Sequence, residues 1–289
     1  SPKAEVDFFV AEDYDNLRCK ALQYIRWFPA NDTNKWISNR PVLTFDKSPS
    51  YMREQIYIKR LHSVVPEIKI ILTLRFPTSQ DFSSFRFQCD PSRGKHVFRK
   101  IIDVTDKKYI RYINSTYRIE TPAFKFAIYE NISKCSSETY HNFITHAATR
   151  LKPHSGLGFM NLSDMTPDNA HEYISVHALD HLLYGKYDEQ LQYILNYFPA
   201  NQILILFFEE WILNLKQTLS RIGKFVGFTV LNYSFPNAVI NQGRVHIGMY
   251  PEDKLLLDKY YTPSLRRLRF QIQKYFNRDL PDTWLERMI

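Results

Sequence analysis

The feature that most restricts what this chain can fold into is the stretch Lys69–Phe85, KIILTLRFPTSQDFSSF. With Ile68 just before it, its apolar residues Ile70, Ile71, Leu72 and Leu74 form a run too short for a helix and suited to a strand buried on both faces. Arg75 closes the run, and Pro77, which lacks a backbone N–H, forces the chain out of the sheet at Phe76. Thr78 and Ser79 read as helix caps, which sets Ser83 in the first turns of the following helix. A strand ending in Arg, a turn, and a helix N-terminus carrying Ser make an oxyanion site. The planar guanidinium grips a phosphate from two directions, and the hydroxyl adds a donor. Many α/β proteins end a strand in Arg for packing alone, so at this point both readings stand.

The rest of the chain punctuates itself in the same way. Val42–Phe45 is expected to be another short strand, broken at Asp46-Lys47-Ser48-Pro49-Ser50-Tyr51. Ala4–Val10 reads as a strand-like segment, and Asp13–Trp27 as a helix with Leu17, Ala21 and Ile25 at helical spacing. Met52–His62 is a charged helix, Asp188–Tyr197 an amphipathic one, and Gln202–Phe208 a second buried strand. Leu213–Val226 places Leu215, Leu219, Ile222 and Val226 at core spacing. Asp253–Tyr275 reads as a long basic helix with Arg266, Arg267 and Arg269 on a solvated face. Short buried strands alternating with helices define a parallel-sheet α/β fold.

With 289 residues the chain can bury a large core, as one domain or one with an insertion. Its net charge of +8 favours a polyanionic partner: nucleic acid, acidic glycan or a membrane surface. No block of like charge forms a nucleic-acid arm, and 15% aromatic residues with only 8 Gly argue against disorder. The longest apolar stretches, such as Ile203–Phe208, are strand-sized and span no membrane. Cys19, Cys89 and Cys135 lack metal-ligand spacing and are expected to be buried free thiols. His177 and His181 stand four apart, but without a third ligand they read as surface or packing residues, and no metal is expected. N-x-Ser/Thr sequons at Asn31, Asn114, Asn131, Asn161 and Asn232 point to a secretory lumen.

The blocks Asp46–Tyr51 (DKSPSY) and Leu74–Phe85 (LRFPTSQDFSSF) together resemble the carbohydrate sulfotransferases, most closely the heparan sulfate glucosaminyl type (N- or 3-O-). That family carries an acidic residue, Lys, Ser/Thr and Pro in the first block and Arg-x-Pro-x-x-Arg-x-x-Ser-x-Tyr in the second. Arg75, Pro77 and Ser83 match; Gln80 replaces the second Arg and Phe85 the Tyr. Two further blocks agree in order. Tyr184–Tyr187, Gln190-Leu191 and Phe198–Leu204 are similar to G-x-Y-x-x-Q-L…F-P-x-x-Q-I/L. Asn241–His246 is similar to the Lys-Gly-Arg-x-His cofactor loop, with Gln242 in place of Lys.

The resemblance implies a P-loop-NTPase-like parallel sheet flanked by helices, and transfer of a sulfuryl group from 3′-phosphoadenosine 5′-phosphosulfate (PAPS) to a glycan hydroxyl or amine. The acceptor implied is a polysaccharide, with no nucleic acid and no metal. By position, Glu5 becomes the general base, and Lys47 stabilises charge on the transferring group. Arg75 and Ser83 hold the 3′-phosphate, and Gln242, Gly243, Arg244, Val245 and His246 close over the nucleotide. Without the resemblance, Glu5 is a solvated strand-end carboxylate. The family's first strand and Gly-rich Lys loop would fall before Ser1, and none of the chain's Gly residues forms such a cluster. Residues 1–289 are therefore expected to be a single, N-terminally incomplete sulfotransferase-like domain. Residues 86–180 are expected to be an insertion near the acceptor cleft. A membrane anchor is expected only upstream, with the domain in the Golgi lumen or secreted. Gln80, Gln242 and the missing loop sustain an alternative, a non-catalytic glycan-binding relative. A P-loop kinase relative ranks behind it, because it requires a metal-holding Asp at a strand end where this chain places Lys47 and Arg75.

Overall fold

The computed structural model describes residues 7–10, 14–17, 19–28, 44–52, 54–88, 136–138, 140–141, 144–145, 182, 184–228 and 247–288. They belong to two compact units, each assembled from segments distant in sequence. The first comprises Ser1–Leu74, Tyr187–Leu231 and Arg266–Pro281; the second comprises Arg75–Lys186, Asn232–Leu265 and Asp282–Ile289. In chain order the regular elements are α1 (Lys20–Ile25), α2 (Gln55–Val64), β1 (Ile70–Leu74), α3 (Pro77–Gln88), α4 (Tyr187–Leu195), β2 (Ile203–Phe207), α5 (Phe208–Leu213), α6 (Leu215–Val226), α7 (Pro251–Phe276) and α8 (Asp282–Leu285).

In the first unit β1 and β2 run parallel, Ile70 opposite Ile203 through Leu74 opposite Phe207. Parallel strands need a crossover, and here 128 residues separate Leu74 from Ile203, helices among them. This is the α/β arrangement of parallel strands and helices that the alternating pattern predicts. β2 is buried on both faces through Ile203, Ile205, Leu206 and Phe207. β1 is not: Leu72 and Leu74 are buried while Ile71 is 39% exposed, so its burial alternates. Thr73, the polar residue inside the run, shares the open face with Ile71. Gln202 registers the two strands at their start, its amide donating to the carbonyls of Pro66 (2.9 Å) and Ile68 (3.0 Å). Past β2, Arg221 and Arg278 both donate to the Ile205 carbonyl (3.2 and 2.9 Å) and both reach Glu210 (3.3 and 2.7 Å). The two guanidiniums thus share one strand carbonyl and one carboxylate.

In the second unit Gly185 answers to packing. A Cβ there would lie 2.5 Å from Tyr261 Cε1 and 2.9 Å from Pro77 Cβ, and backbone or ring would have to move. Tyr261, fully buried, donates its hydroxyl to the Leu182 carbonyl (3.0 Å). The glycine of the Tyr184–Tyr187 block thus lets the chain press against α7 beside the start of α3.

Several local expectations are corrected. Phe8–Val10 is a 3-10 turn and not a strand, because its neighbourhood offers side chains in place of a strand partner. Asp13–Trp27 divides into a 3-10 turn at Tyr14–Asn16 and the short α1, with Cys19 in the left-handed region (φ 53°) between them. Thr44 and Phe45 lie in irregular chain, and Phe45 is 85% exposed, so the expected strand does not extend through them. The apolar face of α6 is only half-buried; Thr218 and Gly223 make its closest approach. Arg267 and Arg269 are not merely solvated, since they pair with Asp188 (2.5 Å) and Asp279 (2.7 Å). Cys19 is free as expected, but exposed. The sequons, His177, His181, Cys89, Cys135 and nearly all of residues 86–180 lie outside the described residues. No described helix is long and apolar enough to cross a membrane.

Candidate active site

The Asp46–Tyr51 block owes its shape to one carboxylate. Asp46 Oδ2 accepts from the hydroxyls of Tyr51 (2.8 Å) and Tyr24 (3.1 Å), and Oδ1 from Ser48 (2.6 Å). Those side chains in turn hold the start of the chain. The Asp7 N–H donates to Ser48 Oγ (3.0 Å), the Phe8 N–H to Tyr51 Oη (3.0 Å), and Ser50 Oγ to Asp7 Oδ1. Phe9, fully buried, packs its ring on Tyr24 (4.8 Å) and Tyr51 (5.3 Å). Burial, reinforced by Asp46, raises both tyrosines well above the ordinary phenol range, so they act as neutral donors at any working pH. Lys47, exposed, rides on this rigid loop between Asp46 and Ser48. Glu5 lies outside the described residues, but Asp7, two positions on, is bonded to the residue next to Lys47.

In the second unit Arg75 follows β1 directly and is half-buried. Pro77 opens α3, where its missing N–H costs nothing. This displaces Thr78 and Ser79 from the cap positions assigned to them. Thr78, buried, instead donates its hydroxyl to Asp258 Oδ1 (2.6 Å). Ser83 falls in the second turn of α3 and is half-buried. No acidic residue of α3 itself stands in the first turn, and the carboxylate bonded there, Asp258, is paired with Arg287 (2.8 Å). Asp81, one position beyond that turn, is fully buried. Burial pushes its carboxyl up to about 7 against the pull of the Tyr140 hydroxyl (2.6 Å), and its Oδ1 has no partner. Near neutrality it is therefore about half protonated.

This has a measurable consequence. Asp81 has an ordinary value of 3.8 when unfolded and about 7 when folded, so between these pH values the folded state binds more protons. Its contribution is greatest below the unfolded value and is lost as pH rises through 7. Asp81→Asn, which keeps an acceptor for Tyr140, is expected to flatten the stability–pH curve of the wild type by a few kcal/mol (~2–4) across pH 4–8. Parallel melting curves for the two proteins would show that Asp81 titrates normally.

Of the site residues expected from sequence, Lys47 lies in the first unit and Arg75 and Ser83 in the second. Glu5, Gln242, Gly243, Arg244, Val245 and His246 lie outside the described residues. The inspection of motifs missed Asp258 and Arg287, whose bonds to the start of α3 span 180 and 208 residues of sequence. No spacing could have signalled them. No group of three or more potential metal ligands occurs among the described residues.

A parallel strand followed by Arg and a helix start is an arrangement that can hold an anion. The chain belongs to the sulfotransferase domain family, whose model matches residues 62–241, and its reaction class is sulfuryl transfer. Among solved structures it is similar to a crystal structure of a sulfotransferase from Alicyclobacillus acidocaldarius, with a TM-score of 0.52 and 15% sequence identity over 98% of this chain and 87% of that one. At that identity the likeness speaks for the fold. A search of curated proteins finds no match.

Proposed function

We propose that this sulfotransferase takes its sulfuryl group from PAPS and moves it to a hydroxyl or amine of an acidic polysaccharide, as the heparan sulfate glucosaminyl enzymes do. The observation that carries the reading is the sequence of β1, Arg75 and α3: a half-buried guanidinium directly after a parallel strand, then a helix whose own first turn holds no acidic residue. Arg75 and Ser83 bind the nucleotide's 3′-phosphate, and the Gln242–His246 segment covers it. PAPS supplies the electrophilic sulfur and a bisphosphate leaving group. Glu5 accepts the acceptor's proton as the new bond to sulfur forms, and the Lys47 ammonium neutralises charge on the oxygen whose bond to sulfur breaks. The bonds from Asp7 to Ser48 and from Phe8 to Tyr51 fasten the described segment that begins at Asp7 to the Lys47 loop. The net charge of +8 suits a polyanionic acceptor, and the sequons suit a Golgi-lumenal or secreted protein. Transfer of labelled sulfate from PAPS to N-acetylheparosan or heparan sulfate by the full-length protein tests it; label appearing only on small phenols would overturn the glycan assignment.

One observation favours a second reading, a non-catalytic glycan-binding relative. Gln80, at the position of the family's second Arg, turns its amide to Ser84 on its own helix (3.2 Å), and its buried Oε1 has no hydrogen-bond partner among the described residues. Glycan binding without affinity for 3′-phosphoadenosine 5′-phosphate would select that reading.

A further inference from the structure

We propose that Arg287, anchored on Asp258, is a positioning residue that sets the Arg75–Ser79 turn, so that donor-nucleotide affinity depends on the chain's C-terminal segment. The inference rests on the reading of Arg75 as a phosphate ligand. Arg287 touches the turn at two points and reaches it at a third through Asp258. Its guanidinium lies 3.6 Å over the Phe76 ring, and its Nη1 donates to Ser79 Oγ (3.4 Å). Its Nε and Nη2 form a fork onto Asp258 (3.1 and 2.8 Å), whose Oδ1 also accepts from Thr78 (2.6 Å). Asp258 is 4% exposed on α7, with Lys254 as a second, longer cation at 3.9 Å. Phe76 is held from another side by Trp284 of α8, ring edge to face at 5.5 Å.

The chemistry separates positioning from direct binding. The guanidinium's fork is engaged by a buried carboxylate and its face by an aromatic ring, so it is not presented to an incoming anion. In the turn Pro77 donates no backbone hydrogen bond, while the Phe76 carbonyl accepts from the Gln80 N–H (2.9 Å) as α3 begins. The side chains of Asp258, Trp284 and Arg287 add to that bond in fixing the conformation of the Arg75–Ser79 turn. A displacement of about 1 Å at a binding group is enough to cost one to two orders of magnitude in function.

The test uses the full-length protein and four measurements: affinity for 3′-phosphoadenosine 5′-phosphate by calorimetry, donor and acceptor KM, kcat, and melting temperature. Arg287→Gln is expected to raise the nucleotide Kd and the donor KM roughly tenfold, with acceptor KM and kcat near wild type. Arg287→Lys, which keeps the charge but loses the fork, is expected to fall between the two. Should Arg287→Gln lower the folded fraction, the Lys variant carries the same readout. An unchanged nucleotide Kd in both variants, or a lower melting temperature with kcat reduced and donor KM unchanged, would overturn the proposal. Arg75→Ala is the control. If it weakens nucleotide binding and Arg287→Gln does not, the clamp alone fails. If it leaves binding unchanged, the phosphate reading fails and the clamp with it.

Discussion

Lys47→Ala and Glu5→Gln are each expected to lower kcat by roughly 10²–10³-fold while leaving the Kd for 3′-phosphoadenosine 5′-phosphate within about twofold of wild type. A cation facing the transferring group, and a base facing the acceptor, act on charge that develops only as bonds change. Their loss should therefore appear in turnover and not in ground-state binding. The structure makes the Lys47 experiment clean. Lys47 is exposed, and the loop around it is shaped by Asp46, Ser48 and Tyr51, which the substitution leaves in place. Little loss of stability is expected from truncating a surface side chain of this kind. Single-turnover sulfate transfer measured beside calorimetry separates the outcomes. Equal damage to nucleotide binding and turnover at Lys47 would mark it as a structural lysine, and robust activity of Glu5→Gln would remove the base from the mechanism.

Arg75→Ala is expected to weaken nucleotide binding roughly 30- to 160-fold, equivalent to about 2–3 kcal/mol for a lost charge-assisted phosphate contact. Acceptor KM should stay close to wild type. Because the contact is ionic and half-buried, the difference between wild type and variant should narrow as salt rises. Calorimetry with 3′-phosphoadenosine 5′-phosphate, set against adenosine 5′-phosphate, locates the effect. A ligand lacking the 3′-phosphate should be insensitive to the substitution, and equal losses for both nucleotides would place Arg75 elsewhere than on that phosphate.

Local chemistry was enough for the elements whose cause is local. The apolar runs at Ile70–Leu74 and Ile203–Phe207, the turn forced by Pro77 and the long period of Pro251–Phe276 are all written in neighbouring residues. The same holds for the strand–Arg–helix junction, since Arg75 and Ser83 are placed by the elements on which they stand. Patterns read over a few positions failed where the partner is remote. Phe8–Val10 looks like a strand, yet its fate is set by hydroxyls at Ser48 and Tyr51, more than 40 residues away. Thr78 looks like a cap, but Asp258, 180 residues on, takes its hydrogen bond. Only the tertiary structure could make Asp81 a carboxyl that holds its proton near neutrality, because that follows from complete burial under Tyr140 and not from its neighbours in the chain. Gly185 and Arg287 belong with it: what each does depends on which ring it meets, Tyr261 or Phe76, and sequence distance carries no record of such meetings.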